Sequence, residues 1–138
     1  MALNAQARET LDKWHRMVAA ADLSAVASLC APEAVFRSPV AHTPYRGAEL
    51  VAAFLQQAVQ AFSDFRYHRS FVGGERDVVL EFSAKVGDME LKGIDMIHFD
   101  ETGRIADFEV MVRPASGLQA LGAEMARRMT PVLAARQG

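Results

Sequence analysis

Cysteine is nearly missing from this chain: Cys30 is the only one. A lone cysteine excludes an internal disulfide and cannot build a thiolate metal cluster. Histidine is scarce as well. The four stand at positions 15, 42, 68 and 98, with no H-x-x-x-H or H-x-H pair to start a chelate. Neither sign of charge is in excess: 15 Lys and Arg against 17 Asp and Glu give a net charge of -2. That balance offers no electrostatic footprint for nucleic acid or an anionic membrane, and Arg127, Arg128 and Arg136 read as a solvated helix face. No apolar run approaches the ~18–20 residues of a membrane span, and the N-terminus lacks the charged-then-apolar layout of a signal peptide. The G-x-S-x-G elbow and phosphate-cradling glycine motifs do not occur, and Cys30 among Leu29, Ala31 and Pro32 reads as a buried small hydrophobe. These absences predict a cytoplasmic protein with no metal, no cofactor, no nucleic-acid partner and no membrane partner. What is present is apolar: 138 residues, 51% hydrophobic and 23% charged, the profile of one ordered domain over residues 1–138.

Periodicity divides the chain. Leu3, Ala7, Leu11, Trp14 and Val18 recur at helical steps. Asp22 can cap a short second helix from Leu23 to about Leu29, which Pro32 keeps from continuing. Ala34 to Ser38 reads as a short strand, and Ser38 to Gly47, with Pro39 and Pro44, as a loop. Leu50, Val51, Phe54, Leu55, Ala58, Val59 and Phe62 then follow the helical period closely. After Ser63 the period becomes 2. Phe65, Tyr67 and Phe71 alternate with polar residues up to Gly73-Gly74. Val78 to Val86, Met89 to Phe99 and Arg104 to Val112 follow as strands, joined at Gly87-Asp88 and at Asp100 to Gly103. Pro114 suits the first turn of a last helix with an apolar stripe at Leu118, Leu121, Met125, Met129 and Val132. The order predicts an α+β fold: a conical barrel of a curved, mostly antiparallel sheet wrapped on N-terminal helices, with a C-terminal helix.

The alternation also places side chains. Asp95 shares a strand face with Leu91, Ile97 and Phe99, so its carboxyl points inward. An interior carboxyl pairs with a cation or stays neutral with a raised pKa, able to donate a hydrogen bond. As a purely structural group it would instead satisfy nearby backbone or a helix-one indole. Trp14, Phe36, Phe54, Phe82 and Phe108 come from different elements on inward faces, and Tyr45 enters from the loop. Aromatic walls with one or two polar groups suit a small, flat, apolar molecule, although the same residues would serve as plain core. His42, in the loop beside the expected mouth, is the candidate general base; an exposed loop histidine is the competing reading.

Four blocks of sequence carry a likeness: Trp14 to Met17 running into Ala21-Asp22-Leu23-Ser24, Leu29 to Phe36, Tyr45-Arg46-Gly47, and Gly93 to Phe99 continuing through Gly103-Arg104-Ile105. On these the chain resembles the SnoaL-like branch of the nuclear transport factor 2-like superfamily, which includes ketosteroid isomerase and polyketide cyclases. The resemblance implies a conical α+β barrel with an inner ligand cavity and a homodimer through the outer sheet face. Ketosteroid isomerase places its catalytic base, an aspartate, just before a proline–valine pair; Ser38 stands there, before Pro39-Val40. Its helix-one tyrosine corresponds to Trp14. Its protonated aspartic acid follows an isoleucine, as Asp95 follows Ile94. One of the three catalytic positions is thus retained. Three functions fit this reading: proton transfer on an apolar substrate with Asp95 as acid or hydrogen-bond donor and His42 or a bound water as general base, binding of a hydrophobic ligand without catalysis, and a dimeric interaction module with a filled core.

Overall fold

The computed structural model describes residues 2–137. Helix α1 (Ala5–Ala19) begins where the Asn4 side chain accepts a hydrogen bond from the Ala7 N–H, and it buries Ala7, Leu11 and Trp14 on one edge. The expected second helix is a single 3-10 turn, Val26–Leu29. Asp22 caps no α-helix. Its carboxylate accepts from the backbone N–H and hydroxyl of Ser24, a local turn that competes with helix formation.

Strand β1 (Cys30–Arg37) starts earlier than the sequence pattern indicates, with Pro32 inside it. The ladder between β1 and β6 (Ile105–Arg113) shifts register between Cys30 and Val35, and that irregularity is what admits a residue with no N–H. Within the expected loop, β2 (Tyr45–Arg46) pairs antiparallel with β1 and fixes Tyr45 against the sheet. Gly47, at φ 104°, turns the chain into helix α2 (Ala48–Ala61), whose inner face is Val51, Ala52, Phe54 and Leu55.

Strands β3 (Ser63–Gly74), β4 (Asp77–Val86) and β5 (Met89–Phe99) follow as a meander. With β6 they complete a six-stranded sheet in the order β2-β1-β6-β5-β4-β3. The β1–β6 pair is parallel and every other pair antiparallel. The sheet curves without closing, and the helices occupy its concave side. Between β4 and β5 the pairing is unbroken from Asp77↔His98 to Val86↔Met89, whereas β3 against β4 shifts register three times. Such bulges increase local twist and bend a sheet. One of them, between Tyr67 and Ser70, reverses the alternation: Phe65 and Tyr67 face inward as expected, but Phe71 turns outward and is 51% exposed.

Helix α3 (Ala115–Gln137) packs against α2 and across β4, β5 and β6. Its start lies so close to β5 that a Cβ on Gly117 would come within 2.7 Å of Leu91 Cβ. Leu121 and Met129 are buried along its inner edge, with Met125 and Val132 packed beside them. No helix among the described residues is long and apolar enough to cross a membrane.

Candidate functional site

The concave side of the sheet does not fill completely. A pocket of about 320 Å³ remains between the sheet, α1, α2 and α3. Its floor is aromatic. Phe36 stacks on Phe54 with centroids 5.0 Å apart, Tyr45 meets Phe54 at 4.3 Å, and Trp14 meets Phe108 edge-on at 5.2 Å. Each ring comes from a different element, so the floor exists only after β1, β2, β6 and two helices have assembled. The roof is α3, through Leu121, Met125, Met129 and Leu133. Unbranched methionines there give a surface that can adapt to an occupant's shape. At one side Val40, 56% exposed, lies beside α3, where a Cβ on Gly122 would come within 3.1 Å of its Cγ1.

Five of the six aromatic residues expected to contact a ligand line this pocket: Trp14, Phe36, Tyr45, Phe54 and Phe108. Phe82 does not. It lies in a separate cluster with Ala84, Val86, Leu91 and Leu121, stacked on Phe65 at 5.1 Å, and Phe65 and Phe62 face the pocket in its place. Strand alternation gives the face a residue points to but not its depth. Gly93 makes room for this second layer: a Cβ there would lie 2.6 Å from Phe82 Cζ and 2.5 Å from the Met111 carbonyl.

Asp95 is buried and lines the pocket, between Leu80 on β4 and Val110 on β6. Its Oδ2 accepts a 2.6 Å hydrogen bond from the Tyr67 hydroxyl, and Tyr67 in turn accepts one of 3.0 Å from the Trp14 indole N–H. No protein hydrogen bond reaches Asp95 Oδ1 among the described residues. Burial pushes the Asp95 carboxyl up to about 7, against the opposing pull of the Tyr67 hydroxyl. Burial and the neighbouring carboxyl hold the Tyr67 phenol well above its ordinary range. Near neutral pH, Asp95 is therefore divided between a carboxylate and a neutral acid able to donate from its free oxygen. Tyr67 was legible as an inward residue of β3, but nothing in the sequence paired it with positions 14 and 95.

The expected general base falls elsewhere. His42 is exposed in the loop and is not among the residues lining the pocket. Ser38 does line it, and its Oγ accepts from the Val40 N–H at 3.1 Å. His15 is half-buried with its ring edge-on to Tyr67 at 5.3 Å, and burial lowers its pKa. His68 and His98 are exposed and pair with Ser83 and Asp77. Asp95 is the one carboxyl among the lining residues, which include no lysine, arginine or histidine. No cluster of three or more His, Cys, Asp or Glu side chains suited to a metal ion occurs among the described residues.

Comparison with known proteins gives this geometry its relatives. A steroid delta-isomerase from Pseudomonas aeruginosa has a crystal structure that superposes with a TM-score of 0.92 and 58% sequence identity, over 96% of this chain and 97% of that one. An uncharacterised bacterial protein with a cystatin-like fold, from Silicibacter pomeroyi, superposes at 0.83 with 38% identity, over 89% and 87% of the two chains. At 16% identity, an epoxide hydrolase/cyclase-like enzyme of pyran ring formation in the polyether salinomycin shares the fold, with a TM-score of 0.65 over 80% of this chain and 92% of its own. No curated protein matches the chain. The family profile of the SnoaL-like domain matches residues 11–108, and with it the curved sheet, the inner helices and the order of the elements make this chain a member of the SnoaL-like family within the nuclear transport factor 2-like fold.

Proposed function

We propose that this protein binds a flat, apolar carbonyl compound in the pocket, with the neutral carboxyl of Asp95 donating a hydrogen bond to the carbonyl oxygen. The observation that carries this reading is one unpaired carboxyl oxygen, Oδ1 of Asp95, in a pocket otherwise lined almost wholly by apolar side chains. Apolar walls supply burial, and a single polar group supplies orientation. The likeness to a steroid delta-isomerase favours a fused-ring ketone as the ligand class. Isomerisation of such a ketone needs a base in addition to a donor. Ser38 lacks a carboxylate and His42 lies outside the pocket, so the residues in place support binding over catalysis. Binding of a 3-oxo-Δ5 steroid, followed by quenching of Trp14 fluorescence, tests the proposal. Saturable binding at pH 6 that weakens as pH rises through about 7, and falls at least tenfold in Asp95→Ala, is the expected result. No binding at pH 6 would overturn it, and conversion to the conjugated enone above the solvent rate would overturn its non-catalytic part.

The outer face of the sheet has its own candidate partner, a second copy of this chain. Phe71, Met96 and Met111 are exposed there at 51%, 38% and 44%. Beside them Glu81 accepts hydrogen bonds from Arg69 and forms an ion pair with Lys92, which together hold its carboxyl well below the usual carboxylate range. Apolar side chains beside charges of both signs suit a self-complementary two-fold contact.

A further inference from the structure

We infer that Trp14 fixes the direction of the hydrogen-bond chain through Tyr67 to Asp95, so that a neutral Asp95 carries its proton on the oxygen left free for the ligand. This rests on the ligand reading above and adds a reason for the indole at position 14. An indole N–H donates and cannot accept, whereas a phenol does both. With the Trp14 N–H aimed at the Tyr67 oxygen at 3.0 Å, the Tyr67 proton must point elsewhere, and the acceptor in reach is Asp95 Oδ2 at 2.6 Å. Placing the acid proton on Oδ2 would set two hydrogens against each other in that short contact. The proton therefore belongs on Oδ1. A hydroxyl at position 14 could have turned to accept, letting the whole chain run in reverse.

Two consequences follow for ligand choice. The neutral acid favours a strong acceptor oxygen, as in a ketone, over the weaker acceptor oxygen of a hydroxyl or phenol. The ionised form reverses that preference. The chain from Trp14 also strengthens Tyr67 as a donor, which favours the carboxylate and limits the rise that burial imposes on Asp95. Few other groups can interfere. His15 meets Tyr67 from α1, the neighbours Leu80 on β4 and Val110 on β6 are uncharged, and α3 presents Leu121, Met125 and Met129.

Trp14 is the only tryptophan in the chain, so global replacement by 3-benzothienylalanine swaps this one N–H for sulfur with little change in shape. The readout is the Asp95 carboxyl titration in ligand-free protein by carbon NMR, assigned by its loss in Asp95→Asn. The expected result is an upward shift of about half a pH unit or more. At pH 6 the preference for a fused-ring ketone over the matching phenol should fall at least threefold. An unchanged titration, or an equal loss of affinity for both ligands, would show Trp14 to be only a packing residue and overturn the inference. Tyr67→Phe keeps the ring, deletes the hydroxyl and must raise the Asp95 titration at least as far; no shift there overturns the inference independently. If the titration moves as expected but neither ligand binds, the ligand assignment fails and the relay stands.

Discussion

Asp95 pays for its position in stability. A carboxyl buried without a cation is disfavoured in its charged form, and its pKa of about 7 in the folded protein compares with an ordinary value of 3.8. Between those values the native state holds more protons at this site than the unfolded chain, so the contribution of Asp95 to stability is greatest below about pH 4 and is lost as pH rises through 7. Asparagine keeps the shape of the neutral acid, can accept from Tyr67 and can still donate into the pocket. Asp95→Asn is therefore expected to stabilise the protein at pH 8 by on the order of 2–4 kcal/mol. The gain should fade toward pH 4. Thermal unfolding at both pH values checks this, and destabilisation at pH 8 would contradict the assigned titration. A residue whose replacement stabilises the fold is one that packing alone does not explain.

At the scale of elements, two irregular features decide what the pocket contains. Tyr45 reaches its place because β2 forms inside a proline-containing segment and pairs with β1. The bulge between Tyr67 and Ser70 keeps Tyr67 inward while sending Phe71 outward. Neither is visible in alternation, which assumes an unbroken ladder. Where the ladder is unbroken, as between β4 and β5, the pattern placed the inward residues correctly, Asp95 included, except Met89, which at the strand end is 48% exposed. Phe82 lies on that well-read face, yet behind Phe65 and not at the pocket wall. Phe82→Leu should cost about 1–3 kcal/mol of stability and leave ketone affinity within twofold of wild type. A tenfold loss of affinity in a folded Phe82→Leu variant would place that ring at the ligand after all.

For the whole molecule, the concave side holds the pocket and the convex side holds the exposed Met96 and Met111. Keeping the two on opposite faces lets a second copy cover the sheet without blocking the ligand. Light scattering after size exclusion should give the mass of a dimer at about 10 μM and of a monomer for Met96→Lys/Met111→Lys with unchanged circular dichroism. A wild-type monomer at that concentration would remove the proposed contact.

The sequence by itself determined the fold class, the long strands and helices, the inward carboxyl at 95 and five of the aromatic residues around it. Those follow from period and chain order, which are local and are written in single residues. It also determined that position 38 carries no base. Tertiary structure alone decided that Tyr67 joins Trp14 to Asp95, that His42 stays outside, and that α3 roofs the pocket. The first contact joins residues 53 positions apart and the second spans 28. Such pairings depend on how the sheet curves and on which side chains reach the same depth, and no local pattern encodes either.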